Sequence, residues 1–290
     1  MNLLSLFAVA VFAAETVLSP LADDAFNATP TPSAPSISFG QLTVAAAPQP
    51  QVLGASTDVP APTPVPPRTK KSSYTIALLG DSMIDTLGPD APHLKTKLTR
   101  AYPGVSFQLL NYGVGGTNID YGLERITSGY QYLGRDIPSL VSKQPDIVVV
   151  ESFGYNPYPF DNGAIDKHWL ALAAIVDKLK THLPNVKIII GATIAPDAKT
   201  FGDGTAGLSF SPDDKWKRVD VIKKYLDSTV KFARSQHLPL ADAFHPSLGP
   251  DGNGNEAYIN QGDHIHYSDA GRNLFADAVT SAVTANKLLE

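Results

Sequence analysis

Four short stretches of the 290-residue chain carry side chains able to do chemistry. They are Gly80-Asp81-Ser82, the run from Asn111 to Asn118 with its glycines Gly113, Gly115 and Gly116, the segment from Glu151 to Asn156, and Asp263-His264-Ile265-His266. Together they supply a hydroxyl, a glycine turn rich in backbone N–H groups, a carboxamide and an acid–imidazole pair. That is the inventory of acyl transfer through serine: a nucleophile, oxyanion donors, a base and a group that orients the base. A serine hydroxyl is a weak nucleophile and needs a neighbouring base. His266 fits, with Asp263 three residues earlier to hold the imidazole and stabilise its cation. No Gly-x-Ser-x-Gly occurs, which argues against the nucleophile elbow of the α/β-hydrolases.

These residues need a scaffold that brings them together. Tyr74–Leu79, Val105–Tyr112, Asp146–Val150, Val186–Ile190 and, more weakly, Leu238–Ala241 have strand character. Several are continuous apolar runs, as expected for strands buried on both faces. Helical patterns lie between and after them, over His93–Tyr102, Ile119–Thr127, Asp136–Lys143, Ala164–His182, Lys215–His237 and Ser268–Leu289. Alternating strands and helices predict an α/β domain with a mainly parallel sheet over residues 73–290. Ligands of such sheets bind beyond the carboxyl ends of the strands. Three of the four stretches follow predicted strands and the fourth precedes the last helix, so all would meet on one rim.

Asp-Ser at the end of the first strand, Gly after the second, Gly154-Tyr155-Asn156 after the third and Asp263-x-x-His266 before the last helix resemble the SGNH hydrolases, the GDSL-type esterases and lipases. The resemblance spans residues 74 to 285, with the blocks in order. Gly122-Leu123-Glu124-Arg125-Ile126 and His266-Tyr267-Ser268-Asp269-Ala270-Gly271 extend it. It implies a flavodoxin-like three-layer α/β/α sandwich around a mainly parallel five-stranded sheet. It also implies Ser82 as nucleophile, Asp263 and His266 as its triad partners, and an oxyanion hole made by Ser82, Gly116 and Asn156, without cofactor or metal. Two positions depart from the pattern: Met83 stands where Leu is usual, a change of packing alone, and Pro157 stands where an acidic residue usually follows the Asn.

Each assignment has a plainer competitor. Ser82 could cap a helix, but Asp81 can do that equally well and leave the serine free. Asp263, His264 and His266 could ligate a metal, yet no further His or carboxylate has a spacing that completes the site. Gly115-Gly116 lacks the full dinucleotide fingerprint, and Asp251–Asn255 lacks the calcium-loop glycine and closing Glu. Tyr155, Tyr158 and His264 are the substrate-contact candidates, with Phe160 nearby; packing of loop aromatics explains the same residues. A net charge of −5 without a strongly basic block argues against nucleic acid as partner, and zero Cys excludes thiol chemistry.

The N-terminal part differs in kind. Leu3–Ala14 is an apolar run too short to span a bilayer, so residues 1–28 are expected to be a signal peptide or short membrane anchor. Ten prolines between Pro30 and Pro67 make residues 29–72 an extended linker, ending in a basic hinge at Arg68–Lys71. The expectation is a monomeric serine esterase, secreted or held at the cell surface in a bacterial extracytoplasmic setting. It would act through an acyl-Ser82 intermediate on short-acyl, mainly acetyl, esters of extracellular carbohydrate or a similar small molecule. The same triad would serve a lipase, a lysophospholipase or an O-acyltransferase; outside enzymology, the alternative is a surface-displayed binding module.

Overall fold

The structure, a computed structural model, describes residues 69–159 and 161–290. The expected signal or anchor (1–28), the linker up to residue 68 and Phe160 lie outside the described residues.

Five strands form the sheet: β1 (Ser73–Gly80), β2 (Ser106–Gly113), β5 (Ile147–Glu151), β6 (Lys187–Ala192) and β7 (Leu240–Asp242). Their order is β2-β1-β5-β6-β7 and every pairing is parallel. The chain leaves β1 for β2 on one side and returns to β5 on the other. That reversal makes the crevice between the carboxyl ends of β1 and β5 the switch point where such folds bind ligands.

Side chains alternate across the strands and so build two cores. Ile76, Leu78, Ile147 and Val149 meet Leu94 and Leu98 of α2 (Pro92–Ala101) and Phe275 and Val279 of α6 (Asp269–Ala285). Ala77, Leu79, Val148 and Val150 face the other way. They pack with Ile119 of α3 (Ile119–Arg125), Leu172, Ile175 and Leu179 of α4 (Ala164–His182) and Phe232 of α5 (Pro212–Ser235). Both faces of the central strands are thus buried, which is why they read as unbroken apolar runs, and the layers form the expected sandwich. Emptying one such site, as in Leu78→Ala, costs about 2–5 kcal/mol.

Three details differ from the sequence reading. The helix expected over Asp136–Lys143 is absent. An antiparallel hairpin, β3 (Tyr130–Tyr132) with β4 (Arg135–Ile137), and a single 3-10 turn (Leu140–Lys143) stand there. The hairpin closes through Leu133 and Gly134, both at positive φ (49° and 73°), and Pro138 cannot continue a helix that starts before it. The last strand begins at Leu240 rather than Leu238, because the Leu238 N–H closes the end of α5 by donating to the Ala233 carbonyl. Finally, the expected hinge is tied to the domain: Lys70 N–H donates to the Leu289 carbonyl, and Lys71 pairs with Asp146.

Candidate active site

Immediately after β1 the chain enters a one-turn helix, α1 (Ser82–Asp85). Asp81 is its N-cap, with Oδ1 accepting from the Met83 N–H at 2.8 Å. Ser82 is therefore released from capping, and its partly exposed hydroxyl bonds to no group among the described residues. Asn111 of β2 secures the other end of this turn, donating through Nδ2 to the carbonyls of Ile84 and Gly88, both at 2.8 Å. The β2 backbone lies directly on α1: a Cβ at Gly113 would come 2.1 Å from the Asp85 nitrogen, so only glycine fits.

Two donors face the same rim. Gly116 has φ +70°, and its N–H is unpaired among the described residues. Asn156, in the loop after β5, donates one amide proton through Nδ2 to Asp81 Oδ2 at 3.0 Å and keeps the other free. Asp81 thus both shapes the Ser82 turn and orients the carboxamide.

The acid–imidazole pair comes from a segment that folds back on itself. Ile259 and Tyr267 form an antiparallel bridge, and Asn260 N–H donates to the His266 carbonyl at 2.8 Å. Ile265, between the two histidines, is buried with Phe201 and Phe244, which anchors the turn. Asp263 Oδ1 accepts from the N–H groups of Ile265 (2.9 Å) and His266 (3.0 Å), and Oδ2 lies 2.9 Å from His266 Nδ1. With Nδ1 donating to the carboxylate, neutral His266 presents an unprotonated Nε2 able to take a proton. Burial works to raise the Asp263 carboxyl. The hydrogen bonds from the His266 ring and the two N–H groups outweigh it and hold the carboxyl below its usual range. The charge of His266 acts on Asp81 and on Asp85, the residues one before and three after Ser82. The imidazole and the serine therefore share one neighbourhood.

Of the substrate-contact candidates, Tyr155 points inward: its hydroxyl donates to the Ile194 carbonyl at 3.0 Å, and burial drives its pKa far up. Tyr158 is buried and gives its proton to Asp120, with Lys167 Nζ 3.8 Å from the ring centroid. Both hydroxyls are thus hydrogen-bonded within the protein. His264 sits in left-handed conformation (φ 50°) with Nδ1 buried and unpaired.

Sequence reasoning missed several neighbours. Glu151 is wholly buried beneath Ser82; Oε2 accepts from the Asp81 N–H at 3.3 Å and Oε1 from the Ser152 hydroxyl. Burial first, then the charge of Asp81, raises its pKa well above the usual carboxylate range. A lone acid ending the run Val148-Val149-Val150 was the available signal. Arg125, also wholly buried, donates to the Gly80 carbonyl (2.8 Å) and Thr117 Oγ1 (3.1 Å), clamping the serine turn to the Gly116 loop. Asp85 was legible as the residue one helical turn beyond Ser82. Its partner Tyr132, which donates to Asp85 Oδ2 at 2.7 Å, was not legible because the first strand of its hairpin was assigned to no element and part of the second was read as helix.

A protein-family model, the GDSL-like lipase/acylhydrolase family, matches residues 78–274. Among solved structures, a GDSL-like lipase from Bacteroides thetaiotaomicron superposes with a TM-score of 0.53 at 15% identity, covering 77% of this chain and 92% of that one. A lipase/acylhydrolase from Enterococcus faecalis superposes with a TM-score of 0.50 at 16% identity, covering 73% and 96%. At such identities the likeness speaks for the fold alone. No curated protein sequence matches the chain.

Proposed function

The chain belongs to the GDSL-like lipase/acylhydrolase family and is a carboxylic ester hydrolase, and we propose that Ser82, His266 and Asp263 are the triad through which it removes short acyl groups. The observation that carries this reading is the Asp263–His266 pair, an imidazole oriented at 2.9 Å by a carboxylate, whose Nε2 has no partner among the described residues, as the Ser82 hydroxyl has none.

In this mechanism His266 Nε2 takes the Ser82 proton as Oγ bonds to the ester carbon. The carbonyl oxygen becomes an oxyanion, held by the N–H groups of Ser82 and Gly116 and the free Asn156 amide proton. Collapse expels the alcohol, which leaves with the proton from His266, and an acyl-Ser82 remains. Water, deprotonated by the same imidazole, attacks the acyl carbon and releases the acid, and Ser82 recovers its proton. Asp263 stays ionised throughout and stabilises the imidazolium.

A short acyl group, acetyl above all, is the proposed cargo because the wall beside Ser82 is polar. A side chain begun at Gly115 would meet the Tyr132 hydroxyl at 3.3 Å, Asp85 Oδ2 at 3.8 Å and Ser82 Cβ at 3.9 Å. A long hydrocarbon tail laid there would strip water from a carboxylate without compensation. The proline-rich sequence of residues 29–72 behind an apolar start supports action on an ester outside the cell, carbohydrate being the substrate class proposed.

The test is hydrolysis of p-nitrophenyl esters from acetate to palmitate by the full chain beside Ser82→Ala. The expected result is a rate that falls with chain length and drops about 10⁴-fold or more in the variant. A preference for long chains would replace the short-acyl reading by a lipase. Activity undiminished in Ser82→Ala would remove the triad.

A further inference from the structure

Asp85 is an acidic group beside the nucleophile that the triad mechanism does not use. It lies in the last position of α1, one helical turn beyond Ser82, half-buried at the rim. Its Oδ2 accepts the Tyr132 hydroxyl proton at 2.7 Å, and the same Tyr132 oxygen accepts the Gly115 N–H at 3.1 Å. Both hydrogen-bonding capacities of the phenol are therefore directed, one at the carboxylate and one at the glycine loop. The tyrosine comes from the hairpin β3–β4, which delivers to the rim a side chain whose main contact there is this carboxylate. Asp85 Oδ1, by contrast, has no hydrogen-bond partner among the described residues.

These groups stand close around one exposed glycine. Gly115 is exposed, and a Cβ there would touch the Tyr132 hydroxyl, Asp85 Oδ2 and Ser82 Cβ, at 3.3, 3.8 and 3.9 Å, so the bare glycine leaves a shallow notch between the carboxylate and the nucleophile. Any larger residue at 115 would fill it. A group occupying the notch would sit against the nucleophile and against a fixed acceptor at once. An ionised carboxylate oxygen only accepts, so what it selects is a donor. It repels phosphate and carboxylate groups, and a hydrocarbon over it leaves it desolvated and unpaired. Burial, the largest influence on Asp85, already raises its pKa against the opposing Tyr132 hydrogen bond and the charges of His266 and Arg125. A hydrogen-bond donor from the substrate would offset that desolvation.

We propose that Asp85, held in place by Tyr132, is a specificity-determining residue that accepts a hydrogen bond from a free hydroxyl next to the scissile ester. The preferred substrate is then a partly acylated sugar or polyol with an unsubstituted hydroxyl on the neighbouring carbon. This rests on the esterase reading above and names the feature of the substrate that the site reads. A site built to bond a hydroxyl discriminates strongly against an analogue that lacks it, because the buried acceptor is then left unpaired.

The experiment compares two esters that differ in one atom: a methyl 2-O-acetyl-xyloside with its 3-hydroxyl free, and the 3-deoxy analogue. kcat/KM is measured for both with the full chain and with Asp85→Asn, Asp85→Ala and Tyr132→Phe, each checked for folding by circular dichroism. The wild-type chain is expected to favour the hydroxyl-bearing ester by about thirtyfold. Asp85→Ala should bring the ratio close to one, Asp85→Asn should lower it in part, and Tyr132→Phe should lower it a few-fold by loosening the carboxylate. A merely structural role would slow both esters alike and leave the ratio unmoved. Equal rates on the two esters in the wild type, or a preference that survives Asp85→Ala, overturns the proposal. So does p-nitrophenyl acetate turnover without turnover of either sugar ester, a result that leaves the esterase standing. Failure on every ester removes the esterase reading and this inference together.

Discussion

Three Asp-x-x-His sequences occur in this domain, and two of them form acid–imidazole pairs with closely similar distances; in the third, Asp90–His93, the imidazole pairs with Asp269 instead. At Asp242–His245 the carboxylate accepts from the histidine N–H at 3.1 Å and lies 2.8 Å from Nδ1. At Asp263–His266 the corresponding distances are 3.0 and 2.9 Å. Three-residue spacing permits an oriented acid–imidazole pair where the backbone turns the two side chains together, as it does at these two sites and not at Asp90–His93. What differs is placement. His245 follows the edge strand β7 with its side chain 45% exposed, whereas the His266 side chain is 11% exposed and its charge reaches Asp81 and Asp85 beside Ser82. The pair is a local product of sequence; the triad is a product of the sheet and of a long fold-back segment.

The sharpest way to break this comparison is to delete each imidazole. His266→Ala should lower kcat/KM on p-nitrophenyl acetate by about 10⁴-fold, while His245→Ala should stay within about twofold of wild type. A large loss in His245→Ala would mean that the wrong turn has been assigned to Ser82.

Removing the charge of each aspartate comes next. Asp263→Asn should cost about 10³-fold in kcat, because the histidine loses both its tautomer and its counter-charge. Asp242→Asn should cost only about 1 kcal/mol of stability, measured by urea denaturation. Asp263 also links to pH. Its folded pKa lies below the unfolded value, so its contribution to stability is present above about pH 4 and is lost as the pH falls through the folded value. The gap in Tm between wild type and Asp263→Asn should therefore close in acid.

Donors for an oxyanion stand beside only one of the two turns. Asn156→Ala should slow turnover about a hundredfold with KM little changed. A rise in KM alone would make Asn156 a binding residue instead.

The smallest effect concerns the buried acid under the active turn. Glu151 keeps its proton far above the pH at which the unfolded chain gives one up. Folding is thus favoured below about pH 4 and loses stability as pH rises toward the folded pKa. Glu151→Gln, which matches the protonated acid in shape, should raise Tm by a few degrees at pH 8 and hardly at all at pH 4. An equal shift at both values would show that the acid is ionised in the folded state.

Local chemistry made much of this legible. The strands β1, β5 and β6 were readable because burial on both faces leaves mostly apolar residues, β2 because its apolar residues alternate with exposed ones at the sheet edge, and Asp81 as cap followed from its position before α1. Ala164–His182 was readable as a helix to the residue, since its apolar stripe is unbroken. The hairpin was not, because three-residue strands hold too few residues to display a period, and its turn rests on Leu133 at positive φ. Nor were the inward turn of the Tyr155 and Tyr158 hydroxyls and the Tyr132–Asp85 bond, each made across many residues of sequence.

The sequence by itself determined the order of elements and the residue types of the site, because patterning within a strand or helix shows over a few residues. Only the tertiary structure decided which acid–imidazole pair is the more buried, which carboxylates lie buried beside the Ser82 turn and which groups the aromatic hydroxyls bond. Those outcomes depend on contacts between segments 40 to 180 residues apart, and on the desolvation that packing imposes once the layers close.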